Sequence, residues 1–454
     1  MTTLDLYPLL ADVDVAVLGA GSAGATAAIA AARSGARTVL LDRSGFLGGT
    51  STAVLDTFYG FYTPGEQSLK IVGGIGDDVV AELRRLGPVV TRPNTFGAGT
   101  GITYHPDHLK VAWERLVVAA GAQVVLHASV QDARFANGRL ETVLVATKAG
   151  LRRIRARVFI DATGDADVCH FAGIPYELAG AEAPAQTLTT TFRMCNVDSV
   201  RRREIPRSTL KQLMADAASS GRYNLPRLEG SDHITPVEGV TATIMTRLPS
   251  TSNVEGKVVN ATDPQLLTQA ELAGREQALE YVRFLQDFVP GYERAQLATL
   301  STYIGVRETR RVYGEYRLNR EDVLAGRQFD DQIGLCGAPL EDHHDGADTQ
   351  WEYLPEGSAV GIPFRTLIPA GTENLLVAGR CFSATHDAHA SVRSMAQCMA
   401  MGEAAGTAAA MATGTRRSIP ELDVDLLRNQ LRSAGACLEI DAAVASNSAT
   451  ASSR

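Results

Sequence analysis

Gly19-Ala-Gly21-Ser-Ala-Gly24 stands between an apolar run at residues 14–18 and an alanine-rich stretch at 25–34. Gly19 permits a tight turn, Gly21 lets backbone approach a phosphate, and Gly24 lets a helix close onto a strand. A helix starting there offers free N–H groups and its positive dipole end to a pyrophosphate. Asp42 follows a second apolar run, Thr38-Val-Leu-Leu41. Its carboxylate can accept hydrogen bonds from both hydroxyls of an adenosine ribose. Strand, glycine loop, helix, strand and acid in that order predict a dinucleotide site.

The elements that must position this loop are legible nearby. Residues 14–18 and 38–41 read as buried parallel strands around a helix that stops at Gly35, a βαβ unit. Pro106 to Ala120 reads as a helix and 123–126 as a strand. Residues 129–135 and 140–147 form a hairpin around Asn137-Gly138. Asp77 to Arg85 reads as a helix, capped by the turn at Gly73-Gly74-Ile75-Gly76. Strands are expected near 158–160, 187–194, 239–245 and 375–379, and helices at 264–288 and 393–413. The expected fold is α/β: a discontinuous Rossmann-like domain with an inserted α+β substrate domain. Residues 1–185 and 361–415 form the first, 186–360 the second, and 416–454 a C-terminal extension whose tail from 445 reads as disordered.

Composition narrows the function classes. The 454 residues carry 43 basic and 51 acidic side chains, a net charge of −8, with no dense basic tract. That argues against nucleic acid or an anionic membrane surface. The six cysteines form no C-x-x-C pair, so a zinc ribbon or dithiol site is not expected, and scattered cysteines fit a cytoplasmic setting. Residues 15–32 are uncharged but rich in alanine and glycine, and no positive leader precedes them, so neither a membrane span nor a signal peptide is expected.

Three further segments carry a resemblance. Gly48-Gly49-Thr50-Ser51-Thr52 follows the second strand. Val158-Phe-Ile-Asp-Ala-Thr-Gly-Asp-Ala-Asp167 lies mid-chain, and Asn374-Leu-Leu-Val-Ala-Gly-Arg380 leads to Ser383-Ala-Thr-His-Asp387 and the last helix. Together with 305–311, 321–327 and 362–365, they resemble the FAD-dependent oxidoreductases of the glutathione-reductase-like superfamily. The nearer likeness is to a bacterial family close to the fumarate-reductase flavoproteins. The resemblance implies noncovalent FAD, because no histidine lies near Gly49. It implies Gly19, Gly21, Ser22, Ala23 and Gly24 at the pyrophosphate, and Asp42 with Arg43 at the adenosine ribose. Gly49, Thr50 and Ser51 would line the flavin side, and Val130 would hold the adenine. Ala162, Thr163 and Gly164 would pack beside the adenosine half, with Gly379 and Arg380 at the ribityl chain. The start of the last helix, Val392 to Met395, would point N–H groups at the flavin, where a helix N-terminus stabilises negative charge.

His386, on the loop before the last helix, is the expected proton-transfer group, with a structural role as the alternative. Arg365 and Arg393 are counted with it as catalytic, Arg365 for binding an anionic or carbonyl substrate or, equally, for a salt bridge. Arg307, Arg310 and Arg311 would share one helix face as an ion-pair network or a carboxylate site. His343-His344-Asp345 reads as a polar surface loop rather than a metal site. Tyr104, His105 and Tyr353 are weaker substrate-lining candidates. The expected reaction is dehydrogenation of a small-molecule substrate, with hydride passing to flavin N5 and reoxidation by oxygen or an external electron acceptor. The alternatives are a reductase of activated C=C bonds and a non-catalytic flavin-binding protein. No second G-x-G-x-x-G appears, so a built-in nicotinamide site is not expected, and homo-oligomerisation is left open.

Overall fold

A computed structural model describes residues 3–66, 68–92, 99–343 and 348–440. The chain begins with strand β1 (Leu9–Leu18), helix α1 (Ser22–Arg33) and strand β2 (Thr38–Leu41). Helix α2 (Pro106–Ala119) and strand β3 (Gln123–Val125) follow. The hairpin β4 (Ser129–Ala136) and β5 (Arg139–Thr147) turns through Asn137 and Gly138, both at positive φ, as a tight hairpin turn demands. Strand β6 (Gly150–Asp161) is longer than its apolar run at 158–160 suggests, because its first half pairs with β5.

Strands β2, β1 and β6 lie side by side and parallel, with β3 beyond β2 and the hairpin beyond β6. Alternation divides the buried side chains. Val15, Val17, Leu40 and Ile160 join the helix-covered core, while Ala16, Leu18, Val39 and Phe159 join the core on the opposite face.

The middle of the chain builds a second sheet from β7 (Phe192–Cys195), β8 (Ser231–Ile234) and β9 (Thr241–Ile244). Helix α3 (Pro264–Phe288), capped by the Asp263 carboxylate, and strand β10 (Gln296–Leu300) complete it. Phe192, Met194, Tyr281, Phe284 and Leu285 form the separate core of this cap. Side chains from Leu318 to Ile368 pack into the first core instead, with Val15 and Ala23.

The chain then returns to the first sheet. Strand β11 (Leu375–Val377) pairs parallel with the end of β6, in register at Leu375 and Phe159. Helices α4 (His386–Val392) and α5 (Met395–Thr415) follow, separated by a break at Arg393 and Ser394. Gly402 and Gly406 of α5 sit against α1: a Cβ at either would lie 2.1 or 2.2 Å from the Ala23 or Ala27 carbonyl. Small residues one turn apart on both helices let the backbones touch, which accounts for the alanine-rich composition of each. Among the described residues no helix is long and apolar enough to cross a membrane, and Cys169, Cys195, Cys336, Cys381 and Cys398 are free. The tail from 445 lies outside the described residues.

Candidate active site

One cavity of about 940 Å³ runs from the glycine loop to the cap, near the top of the range of ~300–1,000 Å³ usual for ligand sites. At the first end Gly19 has φ +96°, and a Cβ there would sit 2.4 Å from the Ala162 carbonyl oxygen. A Cβ on Gly24 would sit 1.8 Å from the Gly19 oxygen. At Gly21 a Cβ would meet nothing within 4 Å and would point into free space. Gly21 caps α1 without a side-chain bond, so the N–H groups of its first turn remain available. The Asp42 carboxylate closes this end, accepting 2.7 Å bonds from the Ala20 and Ser44 N–H groups. Arg380 pairs with Asp165 at 2.7 Å, and Arg43 lies over the Tyr303 ring. Burial would raise the Asp165 carboxyl, but Arg380 and its bond from Thr309 hold it below the usual range. Asp167 pairs with Arg310 at 3.0 Å, but burial and the charges of Asp165 and Asp161 outweigh that pair and push it to about 6.

The cap end is a chamber of charged side chains. His233, on β8, holds Asp56 through Nε2 at 2.8 Å. Asp56 comes from the segment just after the short helix Thr50–Ala53, so the pair bridges the two domains. Burial alone would lift the Asp56 carboxyl; the His233 imidazole and the Arg193 and Arg92 guanidinium groups outweigh it and hold it at about 2. An ionised Asp56 fixes the proton on Nε2 and leaves the Nδ1 lone pair without a protein partner among the described residues. A second pair joins His343 Nε2 to Glu341 at 2.8 Å. Burial and the nearby Arg307 keep this imidazole neutral, well below its ordinary pKa. Arg227, Arg307 and Arg393 line the same chamber.

Residues 14–431 match the family model of FAD dependent oxidoreductases. The chain belongs to that family. No curated protein matches it by sequence. Among solved structures, it is similar to a geranylgeranyl bacteriochlorophyll reductase-like protein from Thermoplasma acidophilum at 13% identity and a TM-score of 0.45, covering 95% of this chain and 94% of that one. It is also similar to an aromatic hydroxylase from angucycline biosynthesis, at 14% identity and a TM-score of 0.48 over 93% of this chain and 69% of the other. For a p-nitrophenol 4-monooxygenase from Pseudomonas putida the values are 11% and 0.46, over 92% and 84%.

FAD is the cofactor of this oxidoreductase, and the glycine-loop end fits it: an open cradle at Gly21, an uncapped helix start and an acid at the strand tip. The cavity is lined there by Gly19, Gly21, Ser22, Ala23, Asp42, Arg43, Gly49, Thr50 and Val130, and by Ala162, Thr163, Gly164, Gly379, Arg380 and Met395. Three residues expected beside them stand elsewhere. Gly24 packs helix on strand instead of facing the cavity. The Ser51 hydroxyl turns inward and donates to the Gly48 carbonyl. Val392 ends α4 inside the core; the helix that faces the cavity starts at Met395, after Ser394.

The expected catalytic group is rearranged more deeply. Arg393 lines the chamber. Arg365 does not; it is half-exposed, pairs with Asp331 at 2.9 Å and lies over the Tyr316 ring. His386 opens α4 and is tied through Nδ1 to the buried Glu308 at 3.0 Å, outside the cavity wall. Glu308 also pairs with Arg311. The three arginines near 310 share no helix face, because 310–312 is a strand paired with Tyr176–Leu178. Arg307 and Arg310 reach the cavity, while Arg311 is buried between Glu177 and Glu308. His343 is a buried wall residue rather than part of a surface loop, and His344 and Asp345 lie outside the described residues. Among the described residues no metal-binding group occurs. Tyr104 is buried with its hydroxyl donating to the Ser51 carbonyl, His105 caps α2, and Tyr353 is exposed. Asp56 and His233 escaped sequence reasoning because 177 residues separate them; the one local sign was an acid inside the apolar run Val54-Leu-Asp-Thr-Phe58.

Proposed function

We propose that this FAD-dependent oxidoreductase dehydrogenates a small organic substrate in the cap chamber, with His233 as the proton acceptor. One observation carries the reading: a single cavity links the glycine loop to an imidazole whose free Nδ1 is backed by an ionised carboxylate. FAD, held along Gly21, Asp42, Thr163 and Gly379, would supply two-electron redox chemistry in this cavity. The protein's part is to hold the substrate and receive its proton. Asp56 orients the ring through Nε2 and stabilises the imidazolium once Nδ1 is protonated. Glu341 and His343 form the opposite polar wall. This assignment moves the base from His386, whose ring is committed to Glu308. Its setting is proposed to be cytoplasmic, in keeping with the free Cys169, Cys195, Cys336, Cys381 and Cys398.

The test is anaerobic mixing of the FAD-loaded protein with a substrate library, scored by loss of visible flavin absorbance. His233→Ala should slow bleaching by about 10²–10⁴-fold with FAD content unchanged. Bleaching at the wild-type rate in that variant removes His233 from the reaction. Reoxidation of reduced protein by unsaturated acids, with no substrate that bleaches it, would favour C=C reduction in the same chamber.

A further inference from the structure

Among the described residues, the chamber's positive charge is not balanced by its own side chains. Arg202, at its edge, is held by Asp232 through bonds of 2.5 and 2.7 Å. Arg227, Arg307 and Arg393 have no such partner among the described residues. Arg307 donates to the Thr187 carbonyl and the Thr189 hydroxyl, Arg227 weakly to the Ile244 carbonyl, and Arg393 weakly to the Glu341 carbonyl. The Nε atoms of Arg227 and Arg393 are buried without any acceptor. Glu341 is the carboxylate whose charge acts on all three, and it already accepts a bond from His343. Arg307 is pulled well below its ordinary pKa by burial and by repulsion from Arg393 and Arg227. Like charges gathered at a partly dry wall cost free energy unless an anion joins them. Planar guanidinium forks match the two oxygens of a carboxylate.

We propose that the substrate carries a carboxylate group, held by Arg227, Arg307 and Arg393. Its binding stands apart from the dehydrogenation reading, which supplies only the substrate's fate. The fold itself distinguishes the cluster from the cofactor's phosphate site: Arg227 belongs to the cap, with its N–H donating to the Tyr281 hydroxyl of α3, whereas the free helix start lies at Gly21.

The test is equilibrium binding to FAD-loaded protein, by calorimetry and by shifts of the flavin spectrum. The probes are acetate, malonate, glutarate and benzoate, their neutral amides, and inorganic phosphate. At least one acid should bind roughly tenfold or more tighter than its amide. Arg307→Met and Arg393→Met should each erase most of that ratio while leaving amide affinity and FAD content unchanged. Arg307→Lys should recover part of it, keeping charge without the fork. Equal affinity for acid and amide overturns the proposal. Phosphate bound as tightly as the best acid, and lost in the same variants, overturns the carboxylate assignment. Loss of FAD in the variants with acid binding intact overturns it too, by giving the cluster to the cofactor. If Arg307→Met does not fold, the wild-type ratio and Arg393→Met decide. An acid that binds but never bleaches the flavin supports this inference and sinks the proposed reaction.

Discussion

At the glycine-loop end of the cavity the charges satisfy one another, whereas at the cap end they wait for something else. Arg380 is paired with Asp165, and Asp42 is oriented by two backbone N–H groups, one on each oxygen, with lone pairs left over. What a ligand meets there, besides the Asp42 carboxylate, is backbone: the first turn of α1 and the space over Gly21. In the cap chamber charged side chains dominate the walls, and the nearby carbonyls of Thr187, Ile244 and Glu341 are taken by arginine donors. Among the described residues three arginines lack an acid of their own, and the His233 Nδ1 has no partner. The first end suits a ligand held in one fixed way every time. The second suits a molecule that must be gripped by charge and relieved of a proton.

The sharpest break of that comparison comes from size at the loop. Gly24→Val should cost about 4 kcal/mol or more, because no neighbour can retreat from a Cβ placed against the Gly19 carbonyl. Thermal denaturation of the FAD-free protein checks it, and an unshifted melting temperature would contradict the packing role. Next in size is the loss of His233, expected as a 10²–10⁴-fold fall in turnover, roughly, with the glycine end still loaded. Gly21→Ala should separate fold from cofactor at one position. Its φ of −67° suits alanine, so stability should stay within about 1 kcal/mol while FAD affinity falls at least about tenfold. A variant that keeps its FAD would show that the cradle lies elsewhere.

Acid titration should show the two ends sloping in opposite directions. Asp56 has its folded pKa lowered from 3.8 to about 2. Its contribution is therefore complete above 3.8 and lost as pH falls toward 2, on the order of 2 kcal/mol. Asp167 is raised from 3.8 to about 6. The folded state holds that proton more tightly, so its contribution is complete below 3.8 and declines as pH rises from 3.8 to about 6. Asp56→Asn should flatten the first slope and Asp167→Asn the second, each read by denaturant melts from pH 2 to 7. Smallest of all is Arg365→Ala. A half-exposed pair is worth about 0–1 kcal/mol, so turnover and stability should barely move, and a large fall in turnover would return Arg365 to the site.

The glycine end was legible because its signals are local. Gly19 to Gly24, the runs on either side and Asp42 all fall within about one βαβ unit, and the backbone they shape is itself the binding surface. Helix Pro264–Phe288 and the Asn137-Gly138 hairpin were legible for the same reason: a cap, a turn and a period sit in adjacent residues. Spacing misled where tertiary pairing took over. Arg307, Arg310 and Arg311 have helical spacing, yet strand pairing with Tyr176–Leu178 sends Arg310 and Arg311 to different partners. His386 looked placed for chemistry until the buried Glu308, 78 residues away in sequence, claimed its ring.

By itself, then, the sequence determined the βαβ start of the chain, the return of the last strand and helix, and a dinucleotide site, since each depends on the conformational limits of glycine, proline and alternating apolar residues; FAD in particular came from the family resemblance of longer segments. Tertiary structure alone decided which side chains face the substrate. Asp56 meets His233, and Arg227 and Arg307 meet Arg393, only once distant segments of the chain are folded together. A charge has no local pattern that says whether water, an acid or an empty chamber will surround it.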